Sequence, residues 1–153
     1  ALSFQDELQG LNCHNLARLH GDFILKRKDR IIAYQFAVVV DDALQKVNHV
    51  VRGCDLLEET PKQIYLQKIL ALPTPAYMHV PVLVDRYGHK LSKQTLATTV
   101  DTQSANKTLF DLLKLLMQNP PDKLKGVSVG EILDWAIAHW QPAALALCRA
   151  ISL

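Results

Sequence analysis

The chain has 153 residues, 49% of them hydrophobic and 21% charged, which is typical of a globular domain and excludes a disordered or collagen-like chain. Its 17 basic and 15 acidic residues leave a net charge of +2, so any contact with nucleic acid requires a local basic patch. Apolar runs such as residues 36–40 and 143–148 are far shorter than the ~18 residues of a membrane-spanning helix, so we expect no membrane span and no membrane partner.

The N-terminus has no basic segment followed by an apolar stretch, so we expect no secretory signal and a cytoplasmic location. The chain opens on Ala1 rather than Met, so we expect a processed or cut start. The three cysteines, at positions 13, 54 and 148, form no C-x-x-C pair, and we expect free buried thiols without a disulfide or a zinc knuckle.

The first half of the chain alternates strand and helix signals. Leu2-Ser3-Phe4 is strand-like, and the unbroken β-branched triplet at 38–40 predicts a strand covered on both faces. Residues 49–51 predict a further short strand. Thr60, followed by Pro61 and Gln63, predicts a helix that Thr60 caps and that runs to about Ala71.

The second half changes from strand to helix near residue 100. Residues 77–84 predict one further strand, in which Pro81 indicates a bulge or an edge position, followed by a polar turn at 85–88. We expect helices capped by Asn106 and by the Ser128–Glu131 capping box, and a last helix from Pro142 to Leu153. The order is an α/β portion followed by a small helical portion.

The segment Lys90-Leu91-Ser92-Lys93 is a weak signal alone, because lysine and serine are common on solvated loops. Its position directly after a strand and a turn is more specific, since lysines on a mobile loop can close over phosphates. The 6 scattered glycines form no phosphate-binding cradle, which makes a P-loop NTPase or a dehydrogenase an unfavoured interpretation.

Several segments, in matching order and with close spacing, carry a resemblance to a known family. They are 21–25 (GDFIL), 33–42 (AYQFAVVVDD), 51–57 (VRGCDLL), 60–63 (TPKQ), 79–81 (HVP) and 90–94 (KLSKQ). Together they resemble the C-terminal half of the catalytic domain of class I glutamyl-tRNA synthetases, and within that group the truncated glutamyl-queuosine tRNA(Asp) branch. The family's signature loop, written KMSKS, departs here to KLSKQ.

The resemblance implies the fold class: an α/β chain forming the second half of a Rossmann-like class I synthetase catalytic domain over residues 1–100, then a helical appendage over 101–153. It also implies the activity, in which ATP, with Mg²⁺, activates glutamate as glutamyl-adenylate before the glutamyl group is transferred to RNA. The acceptor in the truncated branch is the queuosine base of tRNA(Asp). Two alternatives stay open: a synthetase that charges tRNA(Glu), and a non-catalytic RNA-binding module.

The family's site residues carry over onto positions in this chain. Tyr34 and Arg52 match the glutamate-binding tyrosine and arginine, and a guanidinium is suited to a carboxylate. The ATP-binding signature loop comprises Lys90, Leu91, Ser92, Lys93 and Gln94. Lys90 and Lys93 are its catalytic residues, which act electrostatically on the departing pyrophosphate. Without the family match, Arg52 would read as a surface residue paired with Asp55 or Glu58, and Tyr34 as a core tyrosine.

Other candidates give weaker signals. Asp41 and Asp42, read as adjacent strand residues, would face opposite sides, with one of them in the cleft. His79 and His89 flank the loop and read as structural or as nucleotide contacts. The remaining histidines, at positions 14, 20, 49 and 139, show no ligand spacing, so we assign no metal ligand. The basic run 26–30 reads equally as an RNA contact or a solvated hairpin.

Two family features do not occur in the sequence. The HIGH motif, whose histidines meet ATP, is missing, and the branch's cysteine-containing zinc site precedes the matched region. We therefore expect the chain to be the back half of an enzyme, inactive in isolation.

Overall fold

The computed structural model describes residues 1–91 and 102–152, and the chain divides into two compact units, Ala1–Val80 and Pro81–Leu153. The strands are β1 (Leu2–Asp6), β2 (Gly10–His14), β3 (His49–Gly53), β4 (Ala76–Val80), β5 (Val82–Val84) and β6 (Ala150–Ser152). The helices are α1 (Leu16–Leu19), α2 (Tyr34–Leu44), α3 (Thr60–Ile69), α4 (Ala105–Leu115) and α5 (Val129–His139). Short 3₁₀ turns cover Cys54–Glu59, Asp122–Leu124 and Pro142–Leu145. The division at residue 100 stays a prediction.

The first unit is built on a four-stranded sheet of order β2-β1-β4-β3. β1 and β2 form an antiparallel hairpin, whereas β4 pairs in parallel with both β1 and β3. Leu2, Ile64 and Tyr77 form the centre of its buried cluster, so α3 covers the sheet. The parallel register pairs Arg52 with His79, which places two of the sequence candidates side by side.

The β-branched triplet at 38–40 does not form the predicted strand, because it lies inside α2. Only Val39 is buried, and α2 packs against α3. Local β propensity is a weak preference that tertiary packing overrides. The expectation that Asp41 and Asp42 alternate across a strand is therefore wrong, since both lie on this helix.

The helix predicted from Thr60 is present as α3, but Thr60 does not cap it. The residue before it, Glu59, already has helical dihedrals, and no side-chain hydrogen bond caps the helix. The 3₁₀ turn 54–59 leads directly into α3, so the Thr60 hydroxyl is available for other partners.

In the second unit, β5 pairs in parallel with β6, and a turn follows β5. The helices α4 and α5 bury Phe110, Leu113 and Ile132 together with Leu124. Ser128 and Glu131 make both hydrogen bonds of the predicted capping box, whereas Asn106 lies in the first turn of α4, after the N-cap Ser104.

The predicted last helix from Pro142 to Leu153 is wrong. Only one 3₁₀ turn forms, Leu147 adopts a positive φ of 58°, and residues 150–152 are a strand. The reason is tertiary: this segment supplies the hydrogen-bonding partner of β5, which propensity cannot register.

The cysteines are free, but the expectation that they are buried is wrong, because Cys13 is exposed and Cys54 and Cys148 are only half-buried. Cys13 alternates with buried Asn12 and His14 along β2, and therefore points to the outer face. Within 1–91 and 102–152, the helices are all too short or too polar to cross a membrane.

Candidate functional site

Arg52, near the end of β3, is held by three hydrogen bonds. Its Nε donates to His79 Nε2 at 3.0 Å, and its Nη2 donates to Thr60 Oγ1 at 2.7 Å and to the Leu56 carbonyl at 3.4 Å. The guanidinium carbon also lies 5.5 Å from the centre of the Tyr77 ring, within range of a cation–π interaction. The half-buried guanidinium is thus fixed in position and orientation.

Behind Arg52 lies a fully buried, hydrogen-bonded pair of titratable side chains. Asp6 and His79 are both 0% exposed, and His79 Nδ1 is 2.6 Å from Asp6 Oδ2. The other Asp6 oxygen, Oδ1, accepts the backbone N–H groups of Leu8, Gln9 and His79. We call Asp6, His79, Thr60 and Arg52 the Arg52 network.

The hydrogen bonds fix the proton on the His79 ring. A guanidinium can only donate hydrogen bonds, so His79 Nε2 must be an acceptor. The ring proton therefore lies on Nδ1, which donates a hydrogen bond to the Asp6 carboxylate. The Thr60 hydroxyl accepts from Arg52 and lies 3.2 Å from the Leu56 carbonyl, to which it can donate. A chain of oriented hydrogen bonds thus runs from the buried carboxylate to the guanidinium.

The pKa directions agree with this assignment. Burial lowers the pKa of His79 and outweighs the opposing influence of Asp6, so the imidazole is neutral at pH 7. Burial alone would raise the pKa of Asp6, but the hydrogen bonds from His79 and from three backbone N–H groups together bring it below its usual value. The buried pair is therefore a carboxylate and a neutral imidazole.

Tyr34 is the first residue of α2 and is 53% exposed, so it is not the core tyrosine of the plain alternative. Its neighbour Gln35 accepts a 2.8 Å hydrogen bond from Gln63 Nε2 and donates to Glu59. Glu59 also pairs with Lys62 at 2.8 Å. These polar contacts attach the first turn of α2 to α3 and fix the position of Tyr34.

Arg52 and Tyr34 both lie within electrostatic range of Tyr77. Burial raises the pKa of the Tyr77 hydroxyl, and the charges of Arg52, Asp42 and Tyr34 all act on it. Burial also raises the pKa of Asp42 and outweighs the opposing influence of the positive charge of Arg52. The combination of a fixed guanidinium, an exposed phenol and a carboxylate suits a small zwitterionic ligand.

The start of the predicted signature loop lies in the second unit. Asp85 Oδ1 accepts the N–H groups of Tyr87 and His89, and Gly88 has a φ of 82°, so the chain reverses sharply. Lys90 is exposed and bridges to Val84, and the Leu91 N–H donates to the Leu83 carbonyl at 2.9 Å. Three predicted ATP-binding residues, Ser92, Lys93 and Gln94, lie outside the described residues.

Sequence reasoning missed much of the Arg52 network. The sequence indicates a structural or nucleotide-contacting role for His79 and a capping role for Thr60. It indicates no role for Asp6. Asp6 and His79 are 73 residues apart, so no local spacing signals their pairing. The predicted capping role of Thr60 is wrong, because a threonine hydroxyl can either cap a helix or bind a buried polar group, and the sequence does not distinguish the two.

Residues 2–119 match the catalytic domain of the class I tRNA synthetases of the E and Q type, and the chain belongs to this family. A glutamyl-Q tRNA(Asp) synthetase from Thiobacillus denitrificans is 49% identical over 140 residues, covering 92% of this chain and 46% of that protein. One from Methylococcus capsulatus is 49% identical over 139 residues, covering 91% and 46%. The chain thus spans about half the length of these curated relatives.

The solved structures support the fold. A glutamate-tRNA synthetase from Elizabethkingia anophelis matches 99% of this chain and 34% of its own, with a TM-score of 0.70 at 21% identity. The predicted family and α/β fold class are therefore confirmed.

Proposed function

We propose that this chain supplies the glutamate-binding site and the signature loop of an ATP-dependent ligase that activates glutamate and transfers it to the queuosine base of tRNA(Asp). Membership of the synthetase family and the names of its relatives support the reaction class. The observation that carries the proposal is the Arg52 network, which fixes the position and orientation of a half-buried guanidinium. Because the acceptor is a tRNA, we place the reaction in the cytoplasm.

Arg52 recognises a carboxylate of glutamate in this proposal. Its Nε and Nη2 groups are occupied by His79, Thr60 and Leu56, so Nη1 is the edge that faces the ligand. A charge-assisted hydrogen bond to a carboxylate contributes roughly 1.5–3 kcal/mol. Since a neutral amide gains less from a guanidinium, this contact discriminates glutamate from glutamine. The Tyr34 hydroxyl then orients the ligand.

Lys90 and Lys93 stabilise charge during adenylate formation. A carboxylate oxygen of glutamate attacks the α-phosphorus of ATP, and the bond from that phosphorus to the pyrophosphate oxygen breaks. Negative charge grows on the pyrophosphate, and lysines on a loop offset it without covalent or acid–base chemistry. This role rests on the match of residues 90–94 to the family's signature.

Mg²⁺ binds carboxylate and phosphate oxygens in octahedral geometry. Among the residues that the structure describes, one group of three potential ligands comes together, and two of them are imidazoles, which suit zinc better. We therefore assign no Mg²⁺ ligand to the described residues and derive no step through the ion. The zinc site of the branch belongs to a region that precedes the residues matched here.

The test is glutamate-dependent exchange between ATP and pyrophosphate, measured with the complete protein. We expect Lys93→Ala to abolish exchange, and Arg52→Lys to raise the KM for glutamate by roughly 10–100-fold, as loss of about 1.5–3 kcal/mol implies. Arg149→Lys, at an exposed arginine of the second unit, is the matched control and leaves KM unchanged. Exchange that is indifferent to glutamate and to Lys93 would contradict the proposal.

The acceptor is tested separately by incubating the enzyme with labelled glutamate and either tRNA. Label on tRNA(Asp) that depends on queuosine supports the proposal. Label on the terminal adenosine of tRNA(Glu) would identify a synthetase that charges that tRNA instead. For the 153-residue chain alone we expect no exchange, and turnover by it would contradict the division of the ATP site between this chain and the region that carries the HIGH motif.

A further inference from the structure

Two histidines and a glutamate meet at one place in the first unit. His14 ends β2, His20 directly follows α1, and Glu58 lies in the 3₁₀ turn that precedes α3. One potential ligand atom from each lies within 4.8 Å of the others. His14 Nδ1 is 3.6 Å from Glu58 Oε2.

The two imidazoles carry nitrogens that the protein leaves unsatisfied. His14 Nδ1 and His20 Nε2 are both buried, and neither has a hydrogen-bond partner among the residues that the structure describes. The His14 side chain is only 8% exposed. An unpaired buried polar atom is unfavourable by roughly 1–3 kcal/mol, and in native proteins such atoms are rare. The carboxylate of Glu58 does not relieve this, because 3.6 Å is too long for a hydrogen bond.

We propose that His14, His20 and Glu58 bind a zinc ion through His14 Nδ1, His20 Nε2 and a Glu58 carboxylate oxygen. Imidazole nitrogens and a carboxylate are a zinc donor set, and three protein ligands leave a fourth position for water or another ligand. Tetrahedral bonds of about 2.0–2.1 Å place donor atoms roughly 3.3 Å apart. The 3.6 Å separation between His14 and Glu58 is already close to that value.

The local fold explains how residues so distant in sequence form this site. Asn15 caps α1 by accepting the Arg18 N–H, and the short helix brings the chain back so that the rings of His14 and His20 stack 6.2 Å apart. Phe4 packs on the other side of His14, at 6.3 Å between ring centres. The ring of His14 is thus held before any ion binds.

The site also has a structural consequence. Glu58 belongs to the same turn as Leu56, whose carbonyl accepts from Arg52, and it is two residues before Thr60. A zinc ion on Glu58 ties this turn to β2 and α1. This metal site differs from the prediction of no metal ligand, which relied on sequence spacing and could not register ligands 38 residues apart.

The test uses the complete protein and counts zinc per chain by elemental analysis after equilibration at buffered free Zn²⁺. Glu58→Gln, at a side chain that is 59% exposed, preserves shape and removes the charge, and His20→Gln removes a ligand. We expect each variant to bind this zinc roughly 100-fold more weakly, since changes one shell further out already weaken binding by about 10–100-fold. Zinc that is bound elsewhere in the protein is the same in every variant, so the difference in zinc content between the wild type and a variant reports this site alone.

His49→Gln is the matched control, because His49 and Glu7 form a surface pair at 3.3 Å without a second imidazole in their group. It should bind as much zinc as the wild type, and circular dichroism verifies that every variant is folded. Replacing zinc with Co²⁺ should give a visible spectrum whose ligand-field band changes in Glu58→Gln and His20→Gln. Equal zinc content and unchanged cobalt spectra in these two variants would overturn the proposal.

Discussion

Replacing Asp6 by Asn tests the proton arrangement of the Arg52 network with almost no change in shape. The Asn oxygen can still accept the three backbone N–H groups that Asp6 Oδ1 accepts. Its amide nitrogen then replaces Oδ2 opposite His79 Nδ1, where the carboxylate accepted the Nδ1–H hydrogen bond. His79 Nδ1 must become the acceptor, which moves the ring proton to Nε2, directly facing the Arg52 Nε–H.

The expected magnitude follows from the contacts that are lost. Two hydrogen bonds with a charged partner are disrupted, Asp6 to His79 and His79 to Arg52, and each contributes roughly 1.5–3 kcal/mol. Part of the first is regained through the amide. We therefore expect the free energy of unfolding to fall by about 3 kcal/mol, and the KM for glutamate to rise because Arg52 loses its orientation.

The assay is urea unfolding of the complete protein together with pyrophosphate exchange, and nitrogen NMR of the His79 ring identifies its tautomer. Asp29→Asn is the control, because Asp29 also accepts a backbone N–H and pairs with Arg27 but is 45% exposed. We expect it to change stability by less than about 1 kcal/mol. An Asp6→Asn protein as stable as this control, with the His79 proton still on Nδ1, would refute the reasoning.

Three further predictions concern acid stability, tRNA affinity and helix α5. In the unfolded chain His79 has a pKa near 6.5 and Asp6 a pKa near 3.8, and both pKa values are lower in the folded protein. Because the unfolded chain therefore binds protons first, we expect the stability to fall as the pH drops below about 6.5 and again in the acid range. The urea midpoint between pH 8 and pH 3 measures this. Replacing Lys28 or Arg30, on the exposed 26–30 hairpin, by Ala should weaken tRNA binding and lower the salt dependence of log K by about 1 in a filter-binding assay, and an unchanged slope would make this hairpin merely solvated. Ser128→Ala should lower the unfolding free energy by about 1 kcal/mol through loss of the capping box, in contrast to no change if the cap were unimportant.

Local signals explain which parts of the fold were predictable. The strand at 49–53 and the capping box of α5 depend on neighbours in sequence, and both are present. The triplet at 38–40 and the segment after Pro142 depend on what packs against them, and both were assigned wrongly. Secondary structure could be predicted where interactions between neighbouring residues determine it. It could not be predicted where packing against a residue distant in sequence determines it.

The candidate site divides in the same way. Tyr34 and Arg52 came from matching motifs, and the structure places both on the first unit, in the environment of Tyr77. Asp6 and Thr60 carry no motif of their own, and their roles arise because the β4 register sets His79 beside Arg52. A hydrogen bond between side chains 73 positions apart is visible only in the three-dimensional fold.

The first hairpin joins the rest of its sheet through a narrow junction. β1 meets β4 in register only at Asp6 and Tyr77, and beside this pair the Glu7 N–H donates to Tyr77 and the Gln9 side chain donates to the His79 carbonyl. Docking of the hairpin and alignment of Arg52 are therefore the same event, because Asp6 takes part in both. A ligand held by Arg52 must then stabilise the docked hairpin by mass action, so glutamate binding should slow amide hydrogen exchange in β1 and β2, which lie across the sheet from β3.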